Sequence, residues 1–286
     1  MQTASFHPAP RTPSLALPRG ACDAHVHVFG PGDRFPYDLT YGPPPVDAPK
    51  ERLFALHRQL GIQRCVVVQS LVHGSDHRAV EDIIAASGGR YLGVAILPLD
   101  VPDAELQRLA DVGFRGVRFR FLDDEVHEAD VQAMLDFAQR LRPLHMHLQV
   151  HFRARHVHLL TPALIRSPVP VVVDHVGRVD ASLGAEHRDF RGLHALLRNS
   201  HCHVKVSGID RITRGGQYAS GVPLAALLAR DYPNQCVWGT DWPHPHLDHV
   251  PDDGVLVDLL AQIAPTPAAL QRLLVDNPMQ LYRFET

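Results

Sequence analysis

The stretch Val171-Val-Val-Asp-His175 joins an unbroken run of β-branched residues to a polar end. Such a run is typical of a strand that is buried on both faces of a parallel sheet. Similar runs recur along the chain and are separated by stretches with helical spacing. The sequence therefore predicts eight strands, at Cys22–His27, Arg64–Gln69, Leu92–Leu97, Gly116–Phe121, His147–His151, Val171–His175, His203–Ser207 and Cys236–Asp241.

Helices are predicted between most of these strands, so the chain alternates in the way that an α/β fold requires. The alternation favours one (β/α)₈ TIM barrel over residues 21–286, with an open doubly wound sheet as the alternative. Residues 1–20 contain four prolines and are expected to form a short extended N-terminal arm. The predicted helices are Lys50–Leu60, Asp103–Val112, Asp130–Leu141, Arg191–Arg198, Leu224–Arg230, Gly254–Ala264 and Pro267–Val275.

The composition of the 286 residues excludes several classes of protein. Apolar residues make up 45%, and 28 basic against 31 acidic residues offer no basic surface for nucleic acid or anionic membranes. No apolar run reaches the roughly 18 residues that a membrane span needs. The four cysteines are far apart, and the first twenty residues lack the apolar segment of a signal peptide, so a cytoplasmic protein with reduced thiols is expected.

Histidine is unusually abundant, with 20 residues, and several histidines stand where a predicted strand ends. The carboxyl ends of the strands form the active-site face of a barrel. His25 and His27 are two residues apart, so both side chains are expected on one face of the first strand. Asp241 ends the eighth strand and is predicted to be the general base that deprotonates water. His175 ends the sixth strand and is predicted to stabilise the water or a developing oxyanion.

A metal ion is one explanation of this cluster. His25, His27, His151 and Asp241 supply the ligand types of a mononuclear zinc or manganese site. Imidazoles can also polarise a carbonyl group without a metal, and His151 is then a contact to the substrate. The sequence leaves both alternatives open, one divalent metal ion or metal-free catalysis.

Arginines near the same strand ends predict an anionic substrate, because a guanidinium binds a carboxylate through two hydrogen bonds. The loop Ser70–Asp76 after the second strand could add hydroxyl and backbone donors. Arg118 and Arg211 are the preferred contacts to the carboxylate. The complete set of predicted substrate-binding residues is Arg118, Arg211, Arg178, Arg120, His151, Tyr41 and Ser75.

Several longer motifs match a known family. They are Cys22-Asp-Ala-His-Val-His-Val-Phe-Gly-Pro31, Arg34-Phe-Pro-Tyr37, Asp47-Ala-Pro49, Arg115-Gly-Val-Arg-Phe119, Val172-Val-Asp-His-Val-Gly-Arg178, Trp238-Gly-Thr-Asp-Trp-Pro-His-Pro245, Pro251-Asp-Asp-Gly254 and Asp276-Asn-Pro-Met279. Together they resemble the amidohydrolase superfamily, and most closely its branch of lactonases that act on pyrone dicarboxylates, sugar acids and muconolactones. The resemblance extends from about residue 20 to the C-terminus.

The resemblance implies a (β/α)₈ barrel that hydrolyses a lactone. It places the family's catalytic aspartate at Asp241, its first-strand pair at His25 and His27, and its sixth-strand histidine at His175. The pyrone dicarboxylate lactonase of this branch works without a divalent metal, whereas other members of the superfamily need one.

Two departures from that lactonase bear on substrate and metal. Arg120-Phe-Leu-Asp-Asp-Glu125 is acidic where that enzyme is basic, which argues against the same dicarboxylate substrate. His151 stands where that enzyme has a tyrosine, which favours a metal site. We therefore predict a cytoplasmic hydrolase that opens a small anionic lactone in aromatic or sugar-acid catabolism. The alternatives are a metal-dependent decarboxylase, a lactone isomerase and a barrel that only binds a ligand; the oligomeric state is not determined.

Overall fold

The computed structural model describes residues 4–213 and 217–285, except for the side chain of Tyr41. Eight strands form one sheet in sequential order, and each consecutive pair from the first strand to the eighth is parallel. The strands are β1 (Cys22–Val26), β2 (Arg64–Val68), β3 (Tyr91–Ala95), β4 (Phe114–Phe121), β5 (His147–Phe152), β6 (Val171–Val173), β7 (Cys202–Lys205) and β8 (Cys236–Val237).

Backbone hydrogen bonds join the last strand to the first. The N–H of Ala24 donates to the carbonyl oxygen of Trp238 at 2.8 Å, and the N–H of Asp241 donates to that of His25 at 2.8 Å. Because these bonds bridge the two ends of the sheet, the strands form a barrel. The predicted (β/α)₈ TIM barrel is therefore confirmed, and the open doubly wound sheet is wrong.

Helices alternate with the strands and cover the barrel. Two predicted helices, Lys50–Leu60 and Asp103–Val112, have the observed bounds, and the first stops at Gly61, whose φ of 80° is left-handed. The helices are α1 (Lys50–Leu60), α2 (Arg78–Ala86), α3 (Asp103–Val112), α4 (Glu128–Leu141), α5 (Val157–Ile165), α6 (Arg188–Leu196), α7 (Ile209–Ile212), α8 (Gly221–Asp231), α9 (Asp253–Asp258), α10 (Leu260–Ile263), α11 (Pro267–Gln271) and α12 (Asn277–Tyr282).

Four of these helices were absent from the sequence prediction, namely α2, α5, α7 and α12. In α5 an internal proline, Pro162, obscures the helical pattern. The predicted helix Pro267–Val275 is observed as α11 followed by a π-helical segment at Arg272–Asp276, which connects directly to α12.

The predicted strands that carry site residues end earlier than expected. His175 and Asp241 both have left-handed backbone conformations, with φ of 48° and 67°. A residue in this conformation cannot continue a strand, and the observed strands already end before these residues, β6 at Val173 and β8 at Val237. The catalytic candidates on these two strands therefore lie in the loops that follow them.

The lower part of the barrel interior is filled by apolar side chains. They come mainly from β1, β2, β3 and β8, and Tyr282 and Phe284 near the C-terminus pack against them. A larger apolar cluster lies between the strands and the surrounding helices. The candidate site at the carboxyl ends of the strands therefore lies next to an apolar cluster inside the barrel. The cluster inside the barrel comprises Cys22, Ala24, Val66, Val68, Leu92, Val94, Val237, Tyr282 and Phe284.

The described part of the predicted N-terminal arm, residues 4–20, contains no helix or strand. It runs beside α9, where the N–H groups of Ser14 and Leu15 donate to Asp258 at 2.7 and 2.9 Å. Phe6 packs against Trp242, with ring centroids 5.5 Å apart. Within the described ranges, no helix combines the length and the apolar character needed to cross a bilayer.

Candidate active site

Four predicted catalytic residues converge at the carboxyl ends of β1, β6 and β8. The Oδ1 atom of Asp241 lies 3.6 Å from His25 Nε2, 3.5 Å from His27 Nε2 and 3.8 Å from His175 Nε2. All four residues are buried. One carboxylate oxygen therefore faces three imidazole nitrogens.

Asp23 connects β1 to the turn that carries the candidate base. Its carboxylate accepts hydrogen bonds from Thr240 Oγ1 at 2.6 Å, from the N–H of Thr240 at 3.1 Å and from the N–H of His25 at 3.1 Å. Because Thr240 immediately precedes Asp241, this contact fixes the base relative to the first-strand histidines. Asp23 was not among the predicted site residues, although its position two residues before His25 on the same strand was a usable signal.

The backbone around the site is held in uncommon conformations. Left-handed φ angles at residues other than glycine are rare and cluster at functional sites. Asp241 and His175 both have them. The loop after β7 leaves room for the imidazole of His175, since a Cβ atom on Gly208 would lie 2.8 Å from His175 Nδ1. A glycine is required at position 208 because its φ of 63° is left-handed and because a side chain there would collide with His175.

Hydrogen bonds determine which nitrogen of His27 carries a proton. Its Nδ1 atom lies 2.7 Å from the carbonyl oxygen of Val68. A carbonyl oxygen only accepts, so Nδ1 donates, and Nε2 of the neutral ring presents a lone pair to the site. His175 Nδ1 lies 3.1 Å from Ser207 Oγ, a group that can donate or accept.

A buried polar network lies beneath the three histidines. Asp174 Oδ2 accepts hydrogen bonds from Arg118 Nε at 2.8 Å and Gln149 Nε2 at 3.1 Å. Lys205 Nζ lies 2.9 Å from Gln149 Oε1 and 3.1 Å from His25 Nδ1. Asp174 and Gln149 were not among the predicted site residues. Asp174 directly follows β6, beside His175, and this position was a usable signal. Gln149 lies within β5 and gave no such signal.

The charges around the centre set its protonation states. Burial alone would raise the pKa of Asp241, but the Arg211 guanidinium, which donates to Oδ2, and His175 hold that pKa well below its usual range. Burial lowers the pKa of His175 to about 3, despite the nearby carboxylates. Burial also lowers the pKa of Lys205 to about 8. At neutral pH the centre thus contains an ionised Asp241 and a neutral His175.

The two preferred arginines are already paired with carboxylates of the protein. Arg118 is bonded to Asp174, and Arg211 is bonded to Asp241. Arg178 differs: in the part of the chain that the structure describes, no carboxylate lies within ion-pair distance of its guanidinium. Its pKa is lowered by partial burial and by the charges of Arg211 and other arginines.

His151 stands apart from the predicted metal ligands. Its Nδ1 atom lies 2.9 Å from Arg118 Nη2, and its Nε2 atom lies 3.5 Å from Arg178 Nη1. A ring that faces two guanidinium groups is a poor ligand for a cation. Among the residues searched, the group within ligand distance contains His25, His27 and Asp241 but not His151.

The remaining residues of the predicted substrate-binding set are less closely connected to the centre. Arg120 is exposed and pairs in register with His151 across β4 and β5. Ser75 is exposed in the loop before α2. The side chain of Tyr41 lies outside the described residues, so its predicted contact stays a prediction.

The residues at the centre fit a divalent metal ion. Among the residues searched, the ligand atoms of His25, His27 and Asp241 all lie within 4.8 Å of one another, and a second group combines His25 with Asp174 and His175. His25 Nε2 and Asp241 Oδ1 are buried and make no hydrogen bond within the described chain. Two imidazoles and a carboxylate are an ordinary ligand set for zinc.

A carboxylate surrounded by imidazoles at the mouth of a (β/α)₈ barrel defines an enzyme site for the activation of water. Comparison with known proteins gives the family. The sequence profile of the amidohydrolase family matches residues 22–284, and the chain belongs to this family. The family predicted from the sequence motifs is confirmed.

Individual relatives cover nearly the whole chain. A 2-pyrone-4,6-dicarboxylate hydrolase of Comamonas testosteroni is 42% identical over 96% of this chain and 93% of its own. A 4-sulfomuconolactone hydrolase of Hydrogenophaga intermedia is 36% identical over 94% of this chain and 90% of its own. Among solved structures, the fold is similar to a crystal structure from Pseudomonas putida that is described as a putative 2-pyrone-4,6-dicarboxylic acid hydrolase. The TM-score is 0.82 at 28% sequence identity, and the match covers 94% of this chain and 100% of that chain.

Proposed function

We propose that this enzyme hydrolyses a small carboxylated lactone by the attack of water on the ester carbonyl. The observation that carries the proposal is the free Oδ1 atom of Asp241 among the Nε2 atoms of His25, His27 and His175. The names of the two sequence relatives, both hydrolases of ring compounds with acidic substituents, support the same reaction.

Asp241 and His27 are placed to bind the attacking water. Arg211 occupies Oδ2 of Asp241 and leaves Oδ1 to accept a proton from water. His27 Nε2, 3.5 Å from Oδ1, presents a lone pair that can accept a hydrogen bond from the second water proton. Two acceptors aimed at one water molecule orient its oxygen lone pair towards the substrate.

The reaction then follows from these contacts. The water oxygen forms a bond to the acyl carbon while Asp241 accepts the proton, and N–H groups of His25 and His175 stabilise the oxyanion. The bond between the acyl carbon and the ring oxygen breaks, and the proton held by Asp241 passes to that oxygen. The new carboxylic acid ionises near neutral pH and releases one proton to the medium.

The substrate carboxylate is assigned first to Arg178. Its guanidinium is exposed beside His151 and has no acidic partner within the described residues, so an external anion would compensate its charge. Arg118 and Arg211 hold the catalytic carboxylates instead. Arg120 is a second candidate because its strand position neighbours His151.

A divalent metal ion, if bound, would be held by His25, His27 and Asp241. Bound there, it would polarise the ester carbonyl and lower the pKa of its water. We also place the reaction in the cytoplasm, as part of aromatic or sugar-acid catabolism, which accords with four buried free cysteines.

The test is a panel of lactones offered as matched pairs, with and without a carboxylate on the ring. We expect acid release from a carboxylated lactone, one ¹⁸O atom from labelled water in the product, and a large loss of this activity in the Asp241→Asn variant. Release of carbon dioxide would instead indicate a decarboxylase. A rearranged lactone without ¹⁸O would indicate an isomerase, and either result would overturn the proposal.

A further inference from the structure

Two groups compete for the Nδ1 atom of His25. The Nζ atom of Lys205 lies 3.1 Å from Nδ1, and the Oδ1 atom of Asp174 lies 3.2 Å from it. An ammonium group only donates, so a bond from Lys205 requires a lone pair on Nδ1 and places the ring proton on Nε2. A bond to the carboxylate requires the proton on Nδ1 and leaves the lone pair on Nε2. The group that pairs with Nδ1 therefore decides whether Nε2 of His25 donates or accepts a hydrogen bond.

The geometry favours Lys205 as that partner. Its contact with His25 has the directions of a hydrogen bond, whereas Asp174 Oδ1 accepts none within the part of the chain described. Lys205 is fully buried and is also held by Gln149 at 2.9 Å. Its Nζ atom also lies 3.5 Å from Asp174 Oδ1. A buried ammonium is costly unless its donors are satisfied, so the side chains of His25, Gln149 and Asp174 fix its position. Lys205 is also one of two lysines among the 28 basic residues of the sequence.

We propose that Lys205 is a positioning residue that holds His25 in the tautomer with the proton on Nε2, so that His25 donates a hydrogen bond to the reacting carbonyl oxygen. This inference rests on the proposed lactone hydrolysis. The Nε2 atom of His25 is buried, makes no hydrogen bond within the described residues and lies 3.6 Å from Asp241 Oδ1. His27 has the opposite tautomer. His25 and His27, at the end of β1, thus have different roles, His25 as a donor to the carbonyl and His27 as an acceptor from water.

The contact between Lys205 and His25 weakens a metal site for which the donor atoms of His25, His27 and Asp241 are otherwise suited. A histidine that binds a metal through Nε2 carries its proton on Nδ1 and usually donates it to a carboxylate. Asp174 is in place for that role, but Lys205 occupies Nδ1. Removal of the ammonium would allow His25 to donate to Asp174 and to present the Nε2 lone pair beside His27 and Asp241. We therefore expect loss of Lys205 to improve the metal site.

The first experiment reads the tautomer directly. Protein with ¹⁵N-labelled histidine rings is measured by NMR at neutral pH, and the His25 signals are assigned by their loss in His25→Gln. We expect a protonated Nε2 and an unprotonated Nδ1 in the wild-type protein, and the reverse in Lys205→Met. Lys205→Gln retains an N–H donor and should keep the wild-type tautomer. A proton on Nδ1 in the wild-type protein would overturn the proposal.

The second experiment measures zinc affinity by competition with a coloured chelator, after metal has been removed from each protein. Lys205→Met should bind zinc about 10- to 100-fold more tightly than the wild-type protein, which is the usual effect of a partner of a ligating histidine. The gain should disappear in Lys205→Met/Asp174→Asn. Lys50→Met, which changes the only other lysine, is the control and should bind zinc as the wild type does. Equal affinities in Lys205→Met and the wild type would contradict the proposal.

Neither measurement uses a substrate, so the two proposals can fail separately. If the tautomer is the expected one but no lactone is hydrolysed, the proposed function fails and the role of Lys205 as the partner of His25 stands. If a lactone is hydrolysed but Nδ1 carries the proton, the role of Lys205 fails. The wild-type spectrum decides the tautomer even if Lys205→Met does not fold.

Discussion

The backbone N–H of Asp241 donates a hydrogen bond of 2.8 Å to the carbonyl oxygen of His25. This bond crosses the seam at which the barrel closes, next to the contact between Ala24 and Trp238. The proposed base and the first of the three histidines are therefore joined by the same bonds that close the sheet. The distance between the catalytic groups depends directly on the closure of the barrel, which Asp23 and Thr240 reinforce.

Asp241→Asn should abolish most of the activity. Asparagine keeps the shape of the side chain but cannot accept the proton from water. We expect kcat to fall by on the order of 10²–10⁴, the usual contribution of general acid–base catalysis. Steady-state kinetics on the carboxylated lactone, with circular dichroism to verify the fold, measure the effect. Turnover near the wild-type value in a folded variant would refute the role of Asp241.

Arg178→Met should weaken the binding of carboxylated lactones. The loss of a charged hydrogen bond predicts a cost of about 1.5–3 kcal/mol in kcat/KM, and an uncharged lactone should be affected much less. The control is Arg230→Met on α8, an exposed arginine paired with Asp231 at the outer surface. Equal losses for charged and uncharged lactones would assign Arg178 a structural role.

Arg118→Met should behave differently from Arg178→Met. Arg118 donates to Asp174 and contacts His151, so its removal leaves a buried carboxylate with fewer donors. We expect lower stability and similar losses of kcat/KM for charged and uncharged lactones. Thermal unfolding of both variants together with the kinetics separates these outcomes. A loss confined to carboxylated lactones, with unchanged stability, would show that Arg118 itself binds the substrate.

Removal of metal should leave the wild-type enzyme active. The reason is the hydrogen bond from Lys205 to His25, which places the ring proton on the nitrogen that would bind the ion. We expect the same kcat before and after treatment with a strong chelator, and less than about a tenth of an equivalent of zinc or manganese by elemental analysis. Activity that is lost with the chelator and restored by zinc or manganese would establish the metal-dependent alternative.

Acid should destabilise the protein partly through His147. Burial, together with the charge of Lys205, lowers the pKa of His147 to about 3 in the folded protein, from 6.5 in the unfolded chain. Between these values the unfolded chain binds more protons, so the free energy of unfolding falls as the pH falls. One such histidine contributes a slope of up to about 1.4 kcal/mol per pH unit in the middle of this window.

The measurement is urea unfolding of the wild type and His147→Gln from pH 4 to 7. The variant should lose stability less steeply towards acid pH than the wild-type protein does. His127→Gln, which changes an exposed histidine before α4, is the control and should keep the wild-type slope. Parallel curves for the wild type and His147→Gln would show that His147 is not the group responsible.

The sequence by itself determined the parallel α/β pattern of strands and helices and the residues that stand at the strand ends. Unbroken β-branched runs such as Val171–Val173 are typical of strands buried on both faces, and their alternation with helices predicts a parallel sheet, either closed or open. The spacing of His25 and His27 predicts that both share one face at the end of β1, and Asp241 follows the last strand. These features are local, because they depend on strand periodicity and on the order of elements along the chain.

Only the tertiary structure decided what these groups bind. Arg118 and Arg211 were predicted to hold the substrate, but each is paired with an aspartate that lies 56 or 30 residues away in sequence. His151 was predicted to bind either a metal or the substrate, and in the structure it faces two arginines. Lys205 and His25 are 180 residues apart and meet inside the barrel. Charge pairing in a buried centre depends on distances across the barrel, and no periodicity along the chain encodes those distances.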